Sequence, residues 1–198
     1  QKRVNASLEE SFFKKIFPNK SFKTLTQFKE EIKKSIESQY DQQSDQKFLN
    51  DVTKKLIEEV KFDLPEKFLI KWLQKKDEKG ITLKDATKEF ERSEKGLRYQ
   101  LIEEEIINQN NLKVEEKEIK DFAKKVFLSQ FGQFGKKGDN KEIQQMVERI
   151  TRNEEERKRI IEQVKTEKLL SFFKENIEFK IKKLSYDSFI KIAYPTTQ

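Results

Sequence analysis

The chain has 198 residues, of which 40% are charged and only 34% apolar, and it carries a net charge of +7 with no cysteine and no histidine. Disulfides, thiol nucleophiles, His-containing triads and Cys/His zinc sites are thereby excluded, and no apolar run approaches the roughly 18–20 residues that a membrane-crossing helix needs. Leu, Ile, Val and Phe still supply 57 residues, which argues for an ordered chain over a disordered one, with thin, elongated helical packing rather than one round core.

Ser7 to Glu10 reads as a capping box ahead of Phe12, Phe13, Ile16 and Phe17, and Pro18 ends that short helix. Thr24 to Gln27 is a second box. Leu25, Phe28, Ile32, Ile36 and Tyr40, then Phe48, Val52, Leu56 and Val60, follow in steps of three and four. That spacing predicts one long amphipathic helix whose polar middle, Gln39 to Gln46, is a place for a bend or break. Pro65 suits a first helical turn, and Phe68, Leu69, Trp72 and Leu73 share the helix that follows. Gly80 interrupts, Thr82 with Asp85 reopens a helix running past Ile106, and Gly96 within it suggests close packing. Asn108 to Asn111 is a loop.

Ile119, Phe122, Val126 and Phe127 mark the next helix, and Phe131 to Gly138 the clearest loop. Ile143, Met146, Val147 and Ile150 give a short helix. Asn153 to Glu156 caps another that carries Ile160, Val164, Leu169, Leu170, Phe173 and Ile177. Phe179, Ile181 and Lys183 alternate as a short strand would, and Ser185 caps a last short helix reaching Ile192. No fixed repeat and no sustained heptad is present, so the pattern reads as helical hairpins rather than a coiled coil.

Catalytic and cofactor chemistry finds no foothold. Carboxylates abound, but nothing gathers them into a cleft that would shift a pKa. The glycines and lysines of 131–138 lack phosphate-loop spacing and no strand precedes them. The basic pairs, such as Lys33-Lys34 and Lys54-Lys55, stand beside acids such as Glu30-Glu31 and Glu58-Glu59, as on solvated helix faces. Nucleic acid is therefore not expected as a partner, and neither are a membrane, a cofactor or a metal.

The informative feature is seventeen Phe against four Tyr and one Trp. Thin hairpins have little interior volume, and adjacent pairs such as Phe12-Phe13 and Phe172-Phe173 cannot both face one side fully. Some rings are expected at the surface, where apolar patches mark binding. The expected contact residues are Val126, Phe127, Phe131, Phe134, Met146 and Val147, where glycines leave little scaffold to bury rings, together with Phe68 and Trp72.

Several strings, in order, resemble the C-terminal domain of trigger factor, a bacterial ribosome-associated chaperone. They are Leu8 to Phe17, Thr24 to Ile32, Phe62-Asp63-Leu64-Pro65 with Glu66 to Leu69, Leu112 to Ile119, Lys168 to Asn176, and Ser185 to Phe189. The resemblance implies an all-α fold with an elongated body at about 1–61 and 152–198, one protruding arm at about 62–110 and a second at about 111–151. It further implies ATP-independent holding of unfolded or nascent polypeptides, a cytoplasmic location, a capacity to form homodimers, and ribosome contact through a domain outside this sequence. The family's Gly-Phe-Arg docking loop and its prolyl isomerase domain do not occur in these residues, so no enzyme activity is expected of them. The periplasmic chaperones typified by SurA have a similar peptide-binding cradle. A helical adaptor with one fixed protein partner, or a basic nucleic-acid-binding domain, are the alternative readings.

Overall fold

Hydroxyl and amide side chains begin four of the helices. The structure, a computed structural model, describes residues 9–17, 20–76, 80–131 and 140–194, with the backbone alone at 130, 131 and 140. Among these residues there are eight helices and no strand: α1 (Glu10–Ile16), α2 (Leu25–Glu59), α3 (Glu66–Lys76), α4 (Leu83–Gln109), α5 (Glu116–Phe131), α6 (Asn140–Arg152), α7 (Glu154–Asn176) and α8 (Tyr186–Ala193). The Thr24, Thr82 and Ser185 hydroxyls accept from the backbone N–H of Gln27, Asp85 and Ser188. Asn153 Oδ1 accepts from both Glu155 and Glu156. Each such cap is worth about 1 kcal/mol. The expected Ser7 box is not what starts α1. Its N-cap is Glu9, whose side chain makes no capping hydrogen bond, and Ser7 lies outside the described residues.

The polar stretch Gln39–Gln46 does not break α2, which runs 35 residues, about 52 Å at 1.5 Å per residue. Gln is a good helix former, and Gln46 with Asn50 and Lys47 with Asp51 pair at i,i+4 across the following turn. The chain divides into two compact units, one of residues 1–44 and 113–181, the other of 45–112 and 182–198. The division passes through α2, and it groups 62–110 with the second part of that helix.

The first unit contains two apolar assemblies. In one, the buried ring of Phe28 stacks on Phe13 at 4.2 Å and meets Phe12, Phe17 and Phe22 edge-on at 5.6–6.0 Å. Phe12 and Phe13 both touch this cluster, Phe13 buried and Phe12 half-buried, in keeping with adjacent positions that cannot both face one side fully. Their rings are long enough to reach one central ring from directions about 100° apart on the helix. In the other assembly, α5, α6 and α7 each contribute an i,i+4 pair: Ile119 and Ala123, Ile143 and Val147, Ile160 and Val164. The 111–151 segment thus shares its interior with α7, which the sequence partition assigned to the body. Across the rim, Glu116 pairs with Arg157 at 2.6 Å, Glu118 with Lys168 at 2.9 Å and Lys125 with Glu167 at 3.1 Å. The Lys168 ammonium also donates to the Lys113 carbonyl, and Glu118 accepts from the N–H of Glu115, the N-cap of α5. The hydrogen bond from Lys168, then that from the Glu115 N–H, holds the Glu118 carboxyl below its ordinary value.

In the second unit Val52, Ala86, Phe90 and Ile102 are buried. The Arg98 guanidinium fastens the segment leading into α3. It donates to the Phe62 carbonyl at 2.7 Å, lies 5.3 Å from the Phe62 ring centre, and pairs with Glu94 at 2.9 Å. At the far end of α4, Asn111 takes φ +53° and the Leu112 N–H returns to the Ile107 carbonyl, the closure that favours Gly or Asn. Gly96 is not a point of close packing, for a Cβ built there meets nothing within 4 Å. The alternating stretch around Phe179–Lys183 forms no strand either. Residues 178–185 lie in neither helix nor strand, because alternation makes a ladder only where a partner edge is at hand.

Candidate functional site

In the second unit α3 exposes two large aromatic side chains one helical turn apart. Asp63-Leu64-Pro65 leads in, and the Pro65 carbonyl accepts from the N–H groups of Phe68 and Leu69 at 3.0 Å each. Proline has no N–H to lose there, so the helix starts cleanly. Leu69, Ile70, Leu73 and Gln74 are half-buried on one face, and α3 packs on α4. At 100° per residue, Phe68 and Trp72 fall on the opposite face together with Lys71 and Lys75. Phe68 is 64% exposed and Trp72 50%. The Lys76 ammonium lies 5.3 Å from the Trp72 ring centre. Nothing in α3 is fully buried, so this helix is clamped by one face and leaves two large rings to water.

The other expected contact residues divide. Val147 is 7% exposed and belongs to the α5–α6–α7 core. Its neighbour Met146, one step round the helix, is 37% exposed. Val147 therefore holds the hairpin together and offers no surface, a correction that follows from α6 needing its i,i+4 face (Ile143, Val147) to close on α5. Val126 is half-buried, and Phe127 is half-buried against the same core. The side chain of Phe131 and the whole of Phe134 lie outside the described residues. The structure thus places Phe68 with Trp72, and places Met146 separately in the first unit.

Among the exposed apolar residues that sequence reasoning did not single out for contact are three leucines on α4 and α5. Leu83 opens α4 just after the Thr82 cap, at the first helical position, where no preceding turn exists to cover it. Leu101 points away from buried Ile102, and Leu128 lies one step beyond half-buried Phe127. For Leu101 and Leu128 the signal is a leucine directly beside a more deeply covered apolar residue, whereas Leu83 is in phase with Ala86 and Phe90 and is exposed by its place at the helix start. Among the described residues no group of three His, Cys, Asp or Glu side chains is placed to hold a metal ion, and no helix is long and apolar enough to cross a membrane.

The helical hairpins, the acidic-Leu-Pro lead-in and the exposed aromatic face agree with a comparison against protein families. The model described as "probable trigger factor, C-terminal domain" matches residues 44–193, about three quarters of the chain. The chain belongs to the trigger factor C-terminal domain family. That family is chaperone-related, and the matched domain is not the isomerase domain of trigger factor. The match begins within α2 and takes in α3 to α8, so it covers the residues of both the α3–α4 hairpin and the α5–α6–α7 core. No curated protein and no solved structure matches the chain.

Proposed function

We propose that this domain holds unfolded or nascent polypeptides by reversible burial of their apolar segments against its own exposed apolar side chains. The observation that carries the reading is the Phe68–Trp72 pair, two large rings left to water on a helix whose other face is packed. Exposed patches of this kind mark interaction surfaces, and family membership gives the partner class. Apolar burial is non-directional and worth about 25 cal/mol per Å², so it serves clients that share no sequence. Leu83 and Leu101 extend the exposed apolar surface of the second unit. Met146 and Leu128 give the first unit exposed apolar side chains of its own.

Release in this reading needs no nucleotide, because contacts of a few rings are weak and a folding client withdraws its apolar segments. The scattered charges on α2 and α7 keep such a surface soluble. A cytoplasmic location, dimerisation and ribosome contact outside these 198 residues complete the reading. Light scattering of several unrelated, chemically unfolded proteins, diluted with and without the domain, tests it. The expected result is suppression for most of them at comparable domain concentrations. Suppression for none, or tight saturable binding of a single protein alone, removes the reading in favour of a fixed-partner adaptor.

A further inference from the structure

α3 carries a charge pattern that distinguishes it from the other long helices. On α2 lysines sit four residues before acids, as in Lys33–Glu37, Lys54–Glu58 and Lys55–Glu59, and on α7 Lys165 pairs with Glu162. On α3 the lysines are Lys67, Lys71, Lys75 and Lys76, against the single acid Glu66 in the first turn. Lys71 has no acid three or four residues away in either direction. Among the described residues none of the four is in an ion pair. All four are exposed, and Lys71, Lys75 and Lys76 lie on the same side of the helix as Phe68 and Trp72. Asp77 and Glu78 follow in sequence, outside the described residues.

We infer that the outward face of α3 selects apolar client segments flanked by acidic residues. The inference rests on the holding reading above and adds the chemistry of the client. Phe68 and Trp72 supply the apolar contact, while Lys71 and Lys75 on one side and Lys76 on the other edge it with positive charge that forms no ion pair among the described residues. The Lys76 ammonium, 5.3 Å from the centre of the Trp72 ring, brings that charge to the margin of the apolar surface itself. A client with Lys or Arg beside its apolar centre brings like charge to this edge as the rings come into contact. A client with Asp or Glu there forms pairs as the rings close. Each exposed pair is weak, so two or three together favour acidic flanks on the order of tenfold at low ionic strength. The preference fades as the screening length falls to roughly 8 Å near physiological salt and below that at higher salt.

The protein carries its own reporter, because Trp72 is the one tryptophan in the sequence. Short peptides sharing one Leu/Phe centre and differing only in flanks of Asp and Glu, of Ser and Asn, or of Lys are titrated against the 198-residue chain. Anisotropy of a label on the peptide reads binding anywhere, and Trp72 emission reads binding at α3. The expected result is a blue shift for all three sets, reached at about tenfold lower concentration with acidic flanks than with neutral ones and last with basic ones. Lys71→Gln with Lys75→Gln and Lys76→Gln should erase the ranking and leave the neutral-peptide shift. Equal ranking, or tighter binding of basic flanks, overturns the inference and leaves the holding reading standing. Peptide binding by anisotropy with no change at Trp72 overturns it too, by moving the contact elsewhere. Absence of binding for every set sinks the holding reading with it.

Discussion

Val147→Ala and Met146→Ala form a pair that tests whether α6 is divided between core and surface as described. Val147 packs in the cluster of Ile119, Ala123, Ile143, Ile160 and Val164 and is 7% exposed. Removing two methyl groups there costs about 1.6 kcal/mol in transfer at ~0.8 kcal/mol per group, and the cavity left between three helices raises this to about 2–3 kcal/mol. Alanine's better helix propensity returns about 0.5 kcal/mol, leaving a loss of about 1.5–2.5 kcal/mol. Met146, one residue away and 37% exposed, should change by no more than about 0.5 kcal/mol. Urea unfolding followed by far-UV circular dichroism measures both. With a slope of about 1–3 kcal/mol per molar, the Val147 midpoint should fall by roughly 1 M and the Met146 midpoint should hardly move. Equal losses for the two, or a neutral Val147→Ala, would refute the assignment of α6 and with it the shared α5–α6–α7 core.

Gly96→Ala should stabilise the protein by about 0.5–1 kcal/mol, since the helical site is open and alanine has the lower backbone entropy cost. Gly80→Ala should destabilise it by about 1 kcal/mol, because φ there is +60°; thermal melts of the two variants should move in opposite directions. Glu118 contributes stability above the ordinary glutamate value of 4.5, and loses it as the pH falls through its lower folded value, because Lys168 and the Glu115 N–H favour the carboxylate. Glu118→Gln should therefore flatten the acid side of a stability–pH curve taken between about pH 3 and 6, and an unchanged slope would remove the clasp. Arg98→Met should loosen the lead-in to α3, read as faster amide exchange around Leu64; unchanged exchange would show that the Phe62 contact does not hold it.

Helix positions were legible because apolar steps of three and four and the Thr24, Thr82, Asn153 and Ser185 caps are local signals. The local chemistry that sets them is present in any short window. What a window cannot show is which partner covers an apolar stripe. Val147 and Met146 look equivalent in sequence and differ only because the α5–α6–α7 core closes over one of them. Phe12 and Phe13 divide as adjacency requires, one half-buried and one buried, but that Phe28 is the ring both meet is not written in the window around them. The Phe179–Lys183 alternation was a fair strand signal with no edge to pair with. For the candidate site, Phe68 and Trp72 were legible as a pair by their i,i+4 spacing. Their exposure, and the unpaired lysines beside them, depended on α3 having only one packing neighbour face. The aromatics of 131–134, singled out for the glycines around them, lie beyond the described side chains.

The central claim is that exposed rings of this domain hold client polypeptides, and Phe68→Ser with Trp72→Ser tests it most directly. Phe68 and Trp72 are 64% and 50% exposed, so covering what remains of each ring yields about 1–2 kcal/mol, and losing both weakens a client contact by roughly 30-fold or more. Both side chains already face water, so the melting transition should stay within a few degrees of the parent. The measurement is suppression of aggregation of several unrelated unfolded proteins by the double variant and the parent at matched concentration. The account predicts that the folded double variant loses most of its suppression for every client. A folded double variant that suppresses aggregation as well as the parent would contradict it.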